Sequence, residues 1–167
     1  MKIKTLYAPW RNSYVTKKKP KNVAPEKCVF CTKISSQDDD ANLIVKRFKN
    51  CTLMLNLYPY SAGHLLLLPN EHKSELCELE ESVRAEMMEI LNQSVEVLKA
   101  KFKAEGINVG VNLGIAGGGG IPSHLHFHAI PRWKSDTNFF ATIGATRVAC
   151  TSFAEVLEKV RAGFNSN

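Results

Sequence analysis

The sequence has no long apolar run. In its 167 residues, no apolar stretch approaches the length of roughly 18 residues that a membrane-spanning helix requires. The first residues also lack the apolar centre, about 7–15 residues long, of a secretory signal peptide. A hydrophobic content of 44% and a charged content of 23% are those of a globular chain with its own core. We therefore expect a cytoplasmic protein without a membrane partner.

Cysteine and histidine are both scarce, at five residues each. An odd number of cysteines suits a reducing compartment better than a disulfide framework. The sequence shows no internal repeat, and no stretch rich in proline, glycine and serine divides it. We therefore expect a single domain over residues 28–167, preceded by an arm over residues 1–27.

Acidic side chains are nearly absent from the N-terminal part of the sequence. Residues 1–33 contain nine lysines and arginines against one acid, Glu26, so the formal net charge of +6 arises there. The remaining residues hold 13 basic and 15 acidic side chains. A basic segment can attract nucleic acid, but the run Lys17–Lys21 is more simply interpreted as a solvated loop. We expect a basic arm and no nucleic-acid partner.

Hydrophobic periodicity predicts an α+β fold. Apolar residues recur every three or four positions from about Glu80 to Lys103, which predicts a long amphipathic helix followed by Gly106 as its C-terminal glycine. A short last helix is expected from Ser152 to Ala162, with Ser152 as its N-cap. Short apolar or alternating stretches predict strands at about 43–48, 51–57, 64–69, 109–113 and 124–130. Strands paired in sequence around one long helix indicate a five-stranded antiparallel sheet.

Three of the five histidines alternate along one predicted strand. Because strand side chains alternate, His124, His126 and His128 share one face, while Leu125 and Phe127 share the other. The apolar face suits packing against the long helix, which leaves three imidazoles facing a site. Two chemistries fit such a face. The imidazoles bind a catalytic metal that activates water, or one imidazole attacks a phosphorus atom.

A glycine-rich loop before the histidines favours the attack on phosphorus. Asn112 and the run Ala116–Gly120 offer small residues whose backbone N–H groups can approach phosphate oxygens. The loop does not end in the Gly-Lys-Ser/Thr of a P-loop. No paired carboxylate stands near the histidines to assist a metal-bound water. A zinc-dependent hydrolase with the three histidines as ligands is the alternative from another class.

Cys28 and Cys31 form a C-x-x-C pair. Such a pair fits a redox centre, half of a zinc site or two unrelated thiols. A thioredoxin-like role requires the pair at the start of a helix that follows a strand, and here an arm with several prolines precedes it.

The segment from Asn112 to Trp133 resembles the signature of the histidine triad (HIT) superfamily. The run Pro131–Phe139 is similar to the branch that contains bacterial diadenosine tetraphosphate phosphorylases and related hydrolases. Other segments that resemble this branch are Tyr7–Arg11, Cys28–Cys31 and Asn56–Pro69. The resemblance extends over about residues 6–140, and the histidine triad is its most specific part.

The resemblance implies a HIT-like fold, usually a homodimer, and an enzyme that acts on the α-phosphate of nucleotides. His126 would form a covalent nucleotidyl-histidine, and His128 would stabilise charge on the phosphate. Water or inorganic phosphate would resolve this intermediate. The other implied contacts are Ser123 with the leaving phosphate, Asn56 with the nucleoside sugar, His64 in support of the site, and Asn112, Gly118 and Gly119 with the phosphate. The expected substrate is a dinucleoside polyphosphate, and hydrolysis of purine nucleoside phosphoramidates is the alternative within the superfamily.

The resemblance also implies a structural zinc site. Zinc-bearing members of the family use a histidine at the position of His72 together with the first histidine of the triad. The candidate ligands are therefore Cys28, Cys31, His72 and His124, a set that suits a closed tetrahedral site. Such a site would connect the arm to the strand that carries the triad.

Overall fold

The computed structural model describes residues 24–134, 136 and 151–165. In these residues five strands form one antiparallel sheet in the order β1-β2-β3-β5-β4. The strands are β1 (Ile44–Arg47), β2 (Cys51–Leu55), β3 (Leu65–Pro69), β4 (Gly106–Val111) and β5 (Phe127–Arg132). The helices are α1 (Val29–Ser35), α2 (Glu81–Phe102) and α3 (Phe153–Asn165), with 3-10 turns at Pro25–Lys27 and Leu76–Glu78. The predicted α+β fold with a five-stranded antiparallel sheet is confirmed.

The two central strands, β2 and β3, are buried along their whole length. Both faces of these strands are covered, which explains why the run of leucines in β3 is continuous instead of alternating. Leu53 and Leu67 face the main core beneath α2 and α3. Met54 and Leu66 face a second, smaller core on the other side of the sheet, where α1 contributes Phe30.

The long helix α2 ends differently from the prediction. Lys103 adopts the left-handed conformation that ends the helix, with φ 51°. Gly106, which was predicted to follow the helix as its terminating glycine, instead begins β4 three residues before the predicted strand. The indole N–H of Trp133 donates to the carbonyl oxygens of Phe102 and Lys103 at 3.3 and 3.1 Å. These bonds satisfy carbonyl groups that a helix end leaves free.

The triad strand also differs from its predicted position. β5 begins at Phe127, so His124 and His126 precede it instead of lying within it. The segment before β5 is held by other contacts: the Leu125 N–H donates to the Lys73 carbonyl at 2.6 Å. The predicted packing of the apolar face is confirmed, because Leu125 and Ala129 are buried in the main core.

The last helix begins as predicted and packs closely on α2. The Glu155 N–H donates to Ser152 Oγ at 3.3 Å, and the Ser152 N–H donates to the Glu155 carboxylate at 2.9 Å. This reciprocal pair is a capping box with Ser152 as N-cap. None of the helices in the described ranges is long and apolar enough to cross a membrane. The arm expected over residues 1–27 is described only from residue 24.

The contact between α3 and α2 gives a first testable prediction. A β-carbon on Gly163 would lie 2.5 and 2.9 Å from the two γ-carbons of Val97. The close approach puts the overpacking cost of Gly163→Ala near the upper end of its usual range, about 3 kcal/mol. The gain in helix propensity offsets about 1 kcal/mol, so we expect the free energy of unfolding to fall by about 2 kcal/mol. Urea unfolding of the variant is the measurement.

The double variant Gly163→Ala with Val97→Ala is the control for this prediction. Removal of the two methyl groups leaves room for the new one, so the double variant should be more stable than the sum of the two single effects predicts. Strict additivity, or a Gly163→Ala protein as stable as the wild type, would contradict the close packing.

Candidate functional site

Cys28 and Cys31 lie side by side on the first turn of α1. Cys28 is the residue before the helix, and the spacing of three brings the two thiols to one face. The Nδ1 atom of His124 lies 3.5 Å from the sulfur of each cysteine. The Nε2 atom of the same ring bonds the Pro69 carbonyl at 3.0 Å. Since a carbonyl only accepts, Nε2 carries the proton and Nδ1 presents its lone pair to the thiols.

His72 completes this group of side chains. Its Nδ1 atom lies 3.1 Å from Cys31 Sγ, and the ligand atoms of all four residues lie within 4.8 Å of one another. A tetrahedral zinc ion with ligands at about 2.0–2.3 Å separates its ligand atoms by about 3.3–3.8 Å. Burial, followed by the neighbouring thiol of Cys28, raises the pKa of Cys31 to about 11. The donor set and its spacing fit a zinc ion.

His126 is buried, with 5% of its surface exposed. Its Nδ1 atom donates to the main-chain carbonyl of His124 at 2.8 Å, so Nε2 carries the lone pair. The Phe30 ring packs on one side of the imidazole, with ring centroids 5.1 Å apart, and His128 lies on another side at 5.0 Å. Burial lowers the pKa of His126. The ring is therefore neutral at pH 7, in the tautomer that a nucleophile requires.

His128 receives its orientation from His64. The Tyr60 N–H and the Asn56 amide both donate to His64 Nδ1, at 3.1 and 3.3 Å. His64 Nε2 therefore carries the proton and donates to His128 Nδ1 at 2.9 Å. His128 in turn holds its own proton on Nε2, a buried atom that has no hydrogen-bond partner among the described residues. A buried donor of this kind is costly unless a ligand oxygen accepts from it.

Burial keeps this pair of imidazoles uncharged. It lowers the pKa of His64 to about 3 and that of His128 to about 4, and the neighbouring imidazoles add to both effects. Two adjacent imidazolium ions in a buried site would repel each other. The hydrogen-bond chain from His64 to His128 is therefore a chain of neutral rings at physiological pH.

These pKa values predict a loss of stability in mild acid. Unfolded histidines titrate near pH 6.5, whereas His64 and His128 in the folded chain titrate at about 3 and 4. Between these values the unfolded chain binds more protons, so the free energy of unfolding falls as the pH falls from about 6.5 to 4. We expect the melting temperature to decrease across this range. The variant His64→Gln, which lacks one of the two groups, should show a shallower decrease, and equal slopes would contradict the prediction.

A cleft of about 440 Å³ opens beside His128. This volume lies in the range of small-molecule sites. Register places Gly110 opposite His128 and Asn108 opposite Ile130. Directly opposed residues share a face, so β4 and β5 form the floor of the cleft. The residues lining the cleft are Tyr60, Asn108, Val109, Gly110, Val111, Asn112, Gly117, Gly118, His128 and Ile130.

The glycine loop closes one end of this cleft. Gly118 has φ +85°, a backbone conformation that side chains other than glycine rarely adopt. At Gly119 a β-carbon would lie 3.4 Å from Asn112 Cβ and 4.0 Å from His126 Cε1. The structure therefore brings the loop, Asn112 and His126 together, as the sequence predicted. Asn112 and Gly118 line the cleft beside His128.

Several predicted site residues lie outside the cleft lining, namely His126, Ser123, Asn56, His64 and Gly119. Ser123 is buried, and its hydroxyl has no partner among the described residues. The Asn56 amide bonds His64, and its carbonyl oxygen accepts the Tyr58 N–H at 2.9 Å. The roles assigned to Ser123 and Asn56 stay predictions.

The sequence did not reveal Tyr60 as part of the site. Its ring stacks on His64 with centroids 5.0 Å apart and planes at 29°, and lies 6.5 Å from His128 at 25°. No periodic pattern in the sequence marks a residue between two strands that folds back over a distant strand.

The structure also does not favour the metal-dependent alternative. In the part of the chain that it describes, the possible metal ligands that converge are Cys28, Cys31, His72 and His124. His126 and His128 are not among them.

Comparisons with known proteins agree with this geometry. The family model described as HIT domain matches residues 37–135. A Mycobacterium tuberculosis protein named AP-4-A phosphorylase is 37% identical over 150 residues, which cover 87% of this chain and 76% of that protein. A Schizosaccharomyces pombe bis(5'-nucleosyl)-tetraphosphatase [asymmetrical] is 31% identical over 90 residues, which cover 54% of this chain and 49% of that one.

A solved structure shares the fold. The Zn-bound histidine triad family protein from Mycobacterium smegmatis superimposes with a TM-score of 0.70 at 23% identity, covering 86% of this chain and 96% of that one. The fold and the cleft define the class of the protein, an α+β domain with neutral imidazoles beside its cleft, and the relatives named as a phosphorylase and a tetraphosphatase show that it is an enzyme. The family model and the mycobacterial relative then identify the family: the chain belongs to the HIT family. The predicted family and fold are thereby confirmed.

Proposed function

We propose that this enzyme cleaves dinucleoside polyphosphates at the α-phosphate through a covalent nucleotidyl-histidine on His126. The observation that carries the proposal is a pair of tautomers in adjacent rings. His126 holds a lone pair on Nε2 because Nδ1 donates to a carbonyl. His128, 5.0 Å away between ring centroids, holds an unpartnered N–H on its own Nε2. A nucleophile and a hydrogen-bond donor thus lie in adjacent rings, and the donor ring of His128 lines the cleft.

In the first step the Nε2 lone pair of His126 forms a bond to the α-phosphorus. The bond from this phosphorus to the bridging oxygen breaks, and the leaving nucleotide takes the electron pair. The His128 Nε2–H donates to a phosphate oxygen, and the Asn112 amide shares the developing negative charge. Division of one displacement into two lowers the barrier of each.

In the second step inorganic phosphate attacks the phosphorus of the nucleotidyl-histidine. The phosphorus–nitrogen bond breaks, and His126 regains its neutral lone pair. From diadenosine tetraphosphate the products are ATP in the first step and ADP in the second. The name of the mycobacterial relative, AP-4-A phosphorylase, supports phosphate as the acceptor.

Product analysis tests the proposal. Purified protein is mixed with diadenosine tetraphosphate, with and without inorganic phosphate, and the nucleotides are separated by chromatography. ADP and ATP that appear only with phosphate support phosphorolysis, whereas AMP and ATP without phosphate show that water is the acceptor. Turnover of adenosine 5'-phosphoramidate alone would favour the nucleoside phosphoramidate reaction. Absence of turnover of every adenylylated compound would overturn the proposal.

We also propose that Cys28, Cys31, His72 and His124 hold a structural zinc ion. The four donor atoms converge with the spacing of a tetrahedral site, and two thiols with two imidazoles are a common structural set. Bound zinc supplies a cross-link and stabilises the thiolate form of the cysteines. Through His124 this cross-link would hold α1 against the segment that supports His126.

We propose a homodimer formed through the outer edge of β4. In the described residues β4 pairs only with β5, so its other edge presents free N–H and carbonyl groups. Val109 is 47% exposed on this strand, and Leu113 and Ile115 after it are 39% and 53% exposed. An exposed edge with apolar side chains is a site of strand pairing with another chain.

The dimer gives a prediction about Val109. We expect Val109→Lys to convert the protein to monomers at micromolar concentration, because lysine at a strand edge opposes pairing. Light scattering after size-exclusion chromatography measures the mass. Met88→Lys is the control, since Met88 is 61% exposed on α2 and should leave the dimer intact. A monomeric wild-type protein, or an unchanged mass for Val109→Lys, would contradict the proposal.

A further inference from the structure

Asn108 lines the cleft and takes no part in the mechanism described above. It lies directly opposite Ile130, next to the opposed pair of Gly110 and His128. Because opposed residues and their neighbours at a spacing of two share a face, Asn108 stands on the same face as His128. Diagonal neighbours of this kind lie about 7–8 Å apart. A ligand that contacts His128 can therefore extend along this face to Asn108.

Arg132 fixes the orientation of the Asn108 amide. Its Nη1 donates to Asn108 Oδ1 at 3.0 Å. Its Nε and Nη2 both donate to the Asp136 carboxylate, the second at 3.0 Å, so the guanidinium is held in place and its charge is paired. Because Oδ1 already accepts a hydrogen bond, the amino group with its two N–H donors is the part of Asn108 that serves a ligand.

The floor between His128 and Asn108 is open. A β-carbon on Gly110 would meet no atom within 4 Å, so a chain of phosphates has room beside His128. The Phe30 ring covers one side of His126, with ring centroids 5.1 Å apart. In an in-line displacement the leaving oxygen departs opposite the attacking nitrogen. The cleft beside His128 continues over Gly110 to Asn108, which gives the leaving phosphate chain a path toward Asn108.

We propose that the Asn108 amide binds a phosphate group of the leaving nucleotide, so that Asn108 is a specificity residue for substrates with a long phosphate chain. The inference rests on the proposed function, because it concerns the same cleft and the same displacement. An amide N–H that donates to a charged phosphate oxygen contributes enough to change kcat/KM by about tenfold to a hundredfold. Arg132 and Asp136 act as positioning residues for this amide.

Two substrates with the same transferred group test the proposal. Diadenosine tetraphosphate has a polyphosphate leaving group, whereas adenosine 5'-phosphoramidate has none. We expect Asn108→Leu to lower kcat/KM for the first by about tenfold to a hundredfold and to change it less than about twofold for the second. Asn108→Asp has nearly the same shape as the wild type. It should lower kcat/KM for diadenosine tetraphosphate more than Asn108→Leu does, because its carboxylate repels phosphate. Asn92→Ala, at an exposed position of α2, should change neither value.

Binding of nucleotides tests the same contact without turnover. In titration calorimetry, Asn108→Leu should weaken the binding of ATP by about tenfold and leave the affinity for AMP unchanged. Equal losses for both substrates or both nucleotides would overturn the proposal, because Asn108 would then act on the transferred half or on the shape of the cleft. Unchanged kcat/KM for both substrates, together with unchanged affinities for both nucleotides, would also overturn the proposal. Selective loss of ATP binding in a protein without turnover would support the subsite and refute only the proposed reaction.

Discussion

Replacement of His126 by alanine is expected to lower kcat for diadenosine tetraphosphate by at least about a thousandfold. The variant lacks the Nε2 lone pair of the proposed nucleophile, and removal of a nucleophile costs factors of this order. Steady-state assays of ATP release measure the effect. Rapid quenching of the wild-type reaction, followed by mass spectrometry, should find a nucleotidyl group on the peptide that contains His126.

The fold of the variant is the necessary control. His126→Ala should keep the wild-type circular dichroism spectrum, because Leu125 and Ala129 on the other face hold the segment in the main core. Full activity of His126→Ala would refute the nucleophile. If a chelator then abolished that activity, the metal-dependent hydrolase would be the better reading.

Removal of a cysteine from the proposed zinc site (Cys28, Cys31, His72 and His124) is expected to have the largest effect on stability. Cys28→Ser should lose bound zinc and unfold at a temperature about 8–16 °C lower. This range follows from a stabilisation of about 4 kcal/mol by a ligand present at a thousand times its dissociation constant, and from about 2–4 °C per kcal/mol for a chain of this size. Elemental analysis and thermal unfolding are the measurements.

Cys77→Ser is the matched control, because Cys77 is exposed and lies outside the cluster. It should retain zinc and the wild-type melting temperature. Equal behaviour of the two serine variants would refute the zinc site, as would a wild-type protein that binds no zinc when expressed with it. Slow but measurable turnover is expected in Cys28→Ser, since the cluster supplies no reacting group.

Alternation along the sequence predicted the triad only in part. It placed Leu125 and Phe127 on the opposite face from His126 and His128 correctly, because this rule depends on neighbours in the chain. It did not separate His124 from the other two. The partners of His124 are two thiols and the Pro69 carbonyl, which lie 55 to 96 positions away in sequence. Such contacts follow from strand register and helix placement, which local patterns do not contain.

The end of α2 shows a similar limit. Glycine is the usual residue in the left-handed position after a helix, so Gly106 was the natural prediction. Lys103 adopts that conformation instead, with φ 51°. The indole N–H of Trp133, the residue directly after β5, donates to the carbonyl groups at this helix end. A tertiary hydrogen bond therefore stabilises a helix end that residue preference alone would place later.

His124 contributes to two neighbouring systems with chemically different parts of the same residue. Its ring points to the thiols, and its main-chain oxygen accepts the proton of His126. Every amino acid carries that oxygen. Replacement of the His124 side chain would therefore remove one candidate zinc ligand. The main-chain hydrogen bond that sets the tautomer of His126 would remain. The proposed zinc site and the proposed nucleophile are therefore adjacent in space but depend on different atoms of His124.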